Sequence, residues 1–296
     1  MFFILSKEWR ICMRKQNKRN RKIRKSLEWP NPSGQHLLHN KRIIHDLVQM
    51  ANLTPNDIVL DLGAGKGALT FPLAEKAGKV IAVEYDPRFA AILKKKAEAY
   101  PNIKIIQQDI LMFHLPKEPF VVVAGIPYAI TTPIMKMLLH HPANSLQRAV
   151  IVMEKGAAKR FTSYPVTNPV ILKWRMWFDL EYAMEISREN FSPPPRVDSA
   201  GLIIRRKEKP GIPCKDHDSF LGLAEYALKY PQLPLDEALK GVFTPPQITR
   251  LVQNLGVDRK MAVCWLNEIQ WATVFHTMVR YVPRPCWPKA KKYKDR

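Results

Sequence analysis

Asp57-Ile-Val-Leu-Asp61-Leu-Gly63-Ala-Gly65-Lys-Gly67 decides the fold of this chain. An apolar run too short for a helix ends in a carboxylate and enters a glycine turn. An amphipathic helix is predicted to follow, through Lys76. Glycines at such a turn let the backbone pass close to a ligand, and the helix N-terminus favours a polar or anionic group. The spacing is GxGxG, which is neither the GxGxxG of dinucleotide binding nor a phosphate-binding P-loop.

Working outward, strands and helices alternate. Lys41–Asn52 is predicted as a helix with Ile43, Ile44, Leu47, Val48 and Ala51 on one face. Lys79–Val83 reads as a second strand ending at Glu84, and Pro87–Tyr100 as a helix with proline in its first turn. Ile103–Ile106 reads as a third strand ending near Asp109, and Phe120–Ala124 as a fourth running into Gly125-Ile-Pro-Tyr128. Ala149–Met153 and Ala200–Ile204 are two later strands. This alternation predicts an α/β fold, a doubly wound Rossmann-like sheet with right-handed crossovers. From about Glu208 the texture becomes helical, with helices predicted over Phe220–Lys229, Thr244–Leu255 and Asp258–Asn267 and a final strand over Thr277–Val282. The expected organisation is a basic arm over 1–32, a cofactor-binding domain over 33–207, a small helical domain over 208–283 and a basic tail over 284–296.

Charge narrows the function. The 296 residues carry 47 Lys and Arg against 26 Asp and Glu, a net +21, with a pI near 9.9. Residues 1–25 hold ten basic residues and one Glu, and residues 284–296 hold six and one Asp. Two basic arms without an interleaved apolar face point to nucleic acid and away from a membrane surface. The 46% hydrophobic and 25% charged content excludes a wholly disordered chain, and no apolar run reaches membrane-spanning length. Four scattered cysteines without a CxxC pair fit a reducing compartment, and no metal site is expected. Met1–Leu5 does not make a secretory signal, because the basic cluster follows it, and Met13 is an alternative start.

Three consecutive strand ends carry a glycine turn, Glu84 and Asp109. Two vicinal ribose hydroxyls can donate to the two oxygens of Glu84, and Asp109 can take an exocyclic amine. These acceptors describe a crevice for an adenosine-bearing ligand, and without a pyrophosphate clamp S-adenosyl-L-methionine fits better than NAD. Gly125-Ile126-Pro127-Tyr128 then offers backbone carbonyls and an aromatic ring to an amine awaiting methylation.

On these motifs the sequence resembles the adenine-N6 ribosomal RNA dimethyltransferases, most closely the Erm group. Gly34-Gln-His-Leu-Leu38, Asp61–Thr70, Glu84, Gln108-Asp-Ile110, Ile126-Pro-Tyr128 and Asn190–Ser199 occur in family order over about Ser33 to Val282. The resemblance implies S-adenosyl-L-methionine as cofactor, held by Gln35, His36, Leu38, Asp61, Gly63, Gly65, Glu84, Asp109, Ile110 and Gly125. It implies that Gly125, Ile126, Pro127, Tyr128 and Phe191 form the catalytic slot, with Tyr128 and Phe191 sandwiching a flipped adenine. The implied substrate is 23S ribosomal RNA, the implied outcome macrolide-lincosamide-streptogramin B resistance, and the expected state a cytoplasmic monomer. Two departures stand out: Gly125 where the family usually has Asn, and Leu37 where it prefers Phe. Ala64, Lys66, Ile126 and the basic arms favour this group over the small-subunit dimethylases. A non-catalytic RNA-binding relative is supported by Gly125 alone.

Overall fold

A computed structural model describes residues 36–291, so the arm over 1–32, Gln35 and residues 292–296 lie outside the described residues. Two units are separated along the chain, the first ending at His36 and the second, a compact one, beginning at Leu37. The second is built around a seven-stranded sheet. Its strands are β2 (Ile58–Leu62), β3 (Lys79–Glu84), β4 (Ile103–Gln107), β5 (Phe120–Gly125), β6 (Leu146–Glu154), β7 (Phe178–Ile186) and β9 (Ser199–Arg206), in spatial order β4-β3-β2-β5-β6-β9-β7. A two-residue pair, β1 (Leu37–Leu38) with β8 (Phe191–Ser192), lies apart from it.

The five strands from β4 to β6 are parallel, whereas β9 runs antiparallel between β6 and β7. Parallel strands are covered on both faces, so their side chains alternate between two apolar layers. Leu60, Leu62, Val122 and Ala124 enter one layer, and Val59, Val121 and Val123 the other. Helix α1 (Lys41–Met50), capped by Asn40, buries Ile44, Leu47 and Val48 in the second layer. The chain leaves β2, returns through β3 and β4, and then places β5 on the far side of β2. That reversal opens a crevice at the carboxyl ends of β2 and β5, where doubly wound sheets bind ligands.

The helix after the glycine turn is shorter than its pattern predicts. Only Thr70–Ala74 is helical (α2), because the turns at 64–69 use up the first residues. Helix α3 (Pro87–Ala97) starts on Asp86, whose side chain accepts the Arg88 N–H, with proline at N1. Between β5 and β9 the chain passes through three helices, α4 (Thr131–Leu139), α5 (Lys155–Thr162) and α6 (Pro169–Trp177), and through the strands β6, β7 and β8.

Beyond β9 come α7 (His217–Ala227), α8 (Leu235–Ala238), α9 (Pro245–Leu255) and α10 (Glu268–Tyr281). Two expectations are corrected here. Asp258–Asn267 forms turns and a short 3-10 segment, and Thr277–Val282 is mostly the last part of α10 instead of a strand. The reason is Asn267, which caps α10 in a reciprocal pair with Gln270 and commits the following 14 residues to a helix. Phe220, Trp271 and Phe275 from these helices share one continuous apolar layer with Leu60 and Val122 of the sheet. Among the described residues no helix is long and apolar enough to cross a membrane.

Candidate active site

The glycine turn owes its shape to backbone that other residues resist. Gly63, Gly65 and Gly67 have φ of 84°, 57° and 90°. The turn is hung from the neighbouring strand, with the Gly63 and Ala64 N–H groups both donating to the Val83 carbonyl. A Cβ on Gly65 would lie 2.8 Å from Leu37 Cδ2, so the chain at Leu37 passes directly over the turn. A Cβ on Gly63 would sit 3.5 Å from the Gly125 carbonyl oxygen and 3.6 Å from Ile110 Cδ1, which measures how closely three strand ends converge.

Glu84 is buried at the end of β3. Its Oε2 accepts the Gly65 N–H at 2.7 Å, and its Oε1 accepts the Asp86 N–H at 2.8 Å. The backbone therefore fixes the orientation of the carboxylate. Asp109 follows β4, and its Oδ1 accepts the Leu111 N–H at 3.0 Å, capping the turn that carries the buried Ile110.

Asp61 is buried near the end of β2, where its Oδ2 accepts the Thr70 hydroxyl at 2.7 Å. Burial pushes its carboxyl up to about 7; the Thr70 hydrogen bond opposes this and the Glu84 charge adds to it. The folded-state value lies above the unfolded one, so folding takes up a proton between them. Stability from this group is complete at low pH and is lost as pH rises from about 4 through about 7. We expect a melting temperature that falls on this account between about pH 4 and about pH 7. Asp61→Asn keeps the Thr70 contact and should flatten the fall; an unchanged profile would assign the slope to other groups.

Asp61, Glu84 and Asp109 suit a ligand that brings ribose hydroxyls, an amine and positive charge. That chemistry, with the close passage at Gly63 and Gly65, fits S-adenosyl-L-methionine.

The tetrapeptide leaves β5 beside this crevice. Gly125 is exposed, and a Cβ built there meets nothing within 4 Å. Ile126 is buried, and its N–H donates to the Val152 carbonyl, which fixes the segment to β6. Pro127 is exposed and Tyr128 half-buried. The Tyr128 hydroxyl shares a hydrogen bond with the hydroxyl of Ser199, a fully buried residue that opens β9. Burial raises the Tyr128 phenol above its ordinary value, so it stays neutral.

Phe191 stands differently. It is 5% exposed and packs in the apolar layer with Ile186 and Ile203. Its backbone pairs with Leu38, the His39 N–H donates to the Asn190 carbonyl, and the Asn40 amide donates to Asn190 Oδ1. The structure thus brings the segment after His36 onto the Asn190–Ser199 segment, and His36 itself is half-buried. Leu38 is partly buried against the same layer.

The sequence assigns no role to three contributors, Thr70, Asp86 and Ser199, and marks Leu37 only as a departure from the family pattern. The Asp86-Pro87 pair was a readable helix start. Ser199 lay inside a quoted motif, but its partner is 71 residues away and no local pattern gives that pairing. Beside Ser199 opens a cleft of about 690 Å³ lined by Lys155, Lys159, Arg188 and Arg196, together with Glu154, Glu189 and Asp198.

The room at Gly125 makes its substitution informative. A Cβ at position 125 meets no neighbour, and Gly125→Asn should raise methyl transfer several-fold, since a restored hydrogen bond is worth about 1 kcal/mol. A rate that is unchanged or lost would mean the pocket works with glycine.

Comparison with known proteins agrees with this geometry. Residues 30–279 match the family described as ribosomal RNA adenine dimethylase. The chain is 54% identical over 284 residues to rRNA adenine N-6-methyltransferases of Bacillus licheniformis and Bacillus anthracis, spanning 95% of this chain and 99% of each relative. Its fold is similar to the crystal structure of the 23S rRNA methyltransferase ErmE, with a TM-score of 0.74 and 27% identity over 82% of this chain and 99% of that one. The crevice at the switch point, the tetrapeptide beside it and these likenesses together place the chain in the ribosomal RNA adenine dimethylase family of S-adenosylmethionine-dependent adenine-N6 methyltransferases.

Proposed function

We propose that this enzyme methylates the N6 amine of one adenine in 23S ribosomal RNA and so protects the ribosome from macrolide, lincosamide and streptogramin B antibiotics. The observation that carries the proposal is the convergence of Gly63, Gly125 and Ile110 beside a Tyr128 ring fixed by Ser199. Glu84 holds the ribose, Asp109 and Ile110 the adenine of the cofactor, and Asp61, Gly63, Gly65 and Leu38 shape the rest of its site. Bound S-adenosyl-L-methionine supplies an electrophilic methyl group.

The chain's own work is positioning and electrostatics. The carbonyls of Gly125 and Ile126 accept from the target amine and draw its lone pair out of the ring. Pro127 stiffens the segment. The face of Tyr128 stacks on the flipped base, and Phe191, now in the core, supports the opposite side. The amine sheds its proton after attack, so no side chain need act as base. The helices over 208–283 and the two basic arms serve RNA binding, and the enzyme acts as a cytoplasmic monomer.

Presenting bare 23S and 16S RNA side by side tests the target. Methylation confined to 23S RNA supports the proposal, and methylation confined to 16S RNA would favour the small-subunit reading. The arms carry a separate expectation. Removing residues 1–25, with their ten basic side chains, should weaken RNA binding and lower its salt slope while cofactor affinity holds. An unchanged salt slope would assign RNA affinity elsewhere.

A further inference from the structure

Tyr164 and Trp265 are each 47% exposed, with ring centroids 5.4 Å apart and planes at 71°. One follows α5 and the other precedes α10, 101 residues further on. The pair is rigidly built. The Tyr164 hydroxyl donates to the Trp265 carbonyl. Arg175 then braces both sides, donating from Nε to Glu268 Oε1 at 2.7 Å and from Nη1 to the Ser163 carbonyl at 2.9 Å. Core packing does not explain the site, because the backbone carbonyl and Arg175 make the join while the rings face water.

The pair also lies at the far end of the helix that starts at the active site. The Lys155 N–H, at the head of α5, donates to the Asp198 carbonyl at 3.0 Å, one residue before the Ser199 that holds Tyr128. From there α5 runs eight residues, about 12 Å, to Ser163 and Tyr164. Lys159 and Arg160 are exposed along it, and Arg160 reaches Thr132 Oγ1 at 3.4 Å, near the tetrapeptide. Cations along a path that ends in exposed rings are the usual surface for a single strand: phosphates follow the charge and bases stack on the rings.

We infer that Trp265 and Tyr164 form a stacking platform for an unpaired base of the RNA substrate, a few nucleotides from the target adenine, with Lys159 and Arg160 on the phosphates between. The inference rests on the RNA-methyltransferase reading and adds a second point at which the substrate is gripped. A protein partner would need a larger apolar surface than this narrow pair, whereas one base covers it.

The test uses the full chain and a labelled RNA hairpin containing the methylated adenine, with RNA affinity, steady-state kinetics, cofactor affinity and melting temperature measured together. Trp265→Ala should weaken RNA binding about 5- to 100-fold, with the loss in KM for RNA and not in kcat. Its cofactor affinity and melting temperature should match the parent chain. The salt slope should also hold, since stacking releases no counterions. Trp265→Phe should recover most of the affinity. If the parent chain methylates the hairpin and Trp265→Ala binds it equally well, the platform is overturned and the enzyme reading stands. A Trp265→Ala loss that Phe does not recover and that comes with a lower melting temperature would also overturn it, as a structural role. A parent chain that neither binds nor methylates RNA would overturn both.

Discussion

Tyr128→Ala is expected to lower methyl transfer about ten- to a hundredfold, with S-adenosylmethionine binding unaffected. Stacking on a base is worth about 1–3 kcal/mol, and each 1.4 kcal/mol is about a factor of ten. Sequence reasoning alone makes Tyr128→Phe nearly silent, because a ring without its hydroxyl still stacks. The structure revises that expectation. The hydroxyl binds the buried Ser199, so the ring's angle depends on it. Tyr128→Phe should therefore cost about fivefold, the equivalent of about 1 kcal/mol for one hydrogen bond. Ser199→Ala should cost a similar amount, and the double variant little more than either single one, because both remove the same contact. Additive losses would show that Tyr128 and Ser199 act separately. Phe191→Ala is a poor probe of stacking, since emptying a core position of an aromatic ring costs about 3–5 kcal/mol of stability.

Glu84→Ala should weaken S-adenosylmethionine binding by roughly one to two orders of magnitude. Two backbone N–H groups lose a charged acceptor, at about 1.5–3 kcal/mol for a bond to a charged group, and the ribose hydroxyls lose theirs. Glu84→Gln should fall between, because its amide turns one acceptor into a donor facing either the Gly65 or the Asp86 N–H. Asp109→Ala should act more weakly, since that carboxylate also caps a turn and is only partly buried. Isothermal titration calorimetry reads each of these directly. Unchanged affinity in both Glu84→Gln and Asp109→Ala would place the cofactor elsewhere.

The parallel half of the sheet was legible because strands covered on both faces read as continuous apolar runs, as in Phe120-Val-Val-Val-Ala124. The crevice was legible for the same reason: its residues sit at strand ends, next to the turns that mark them. The missed strand, Phe178–Ile186, carries a plain alternation, Phe178, Leu180, Tyr182, Met184 and Ile186 against Asp179, Glu181 and Glu185, and a register shift between Tyr182 and Met184 moves Ile186 into the apolar layer opposite to that of Phe178 and Leu180. Thr277–Val282 misled in the opposite way. Its local composition suits a strand, yet the cap at Asn267 had already set the helix ten residues earlier. What no local pattern could give is pairing across the chain, as between Ser199 and Tyr128, Leu37 and Gly65, or Trp265 and Tyr164.

The central claim is that the switch-point crevice delivers a methyl group to adenine N6. The direct measurement is a single-turnover reaction of the purified chain with labelled S-adenosylmethionine and bare 23S RNA, followed by digestion to nucleosides and mass spectrometry. The account predicts label in N6-methyladenosine or N6,N6-dimethyladenosine at one position, abolished or strongly reduced by Glu84→Ala. Label in another nucleoside, or no label although the cofactor binds, would contradict it.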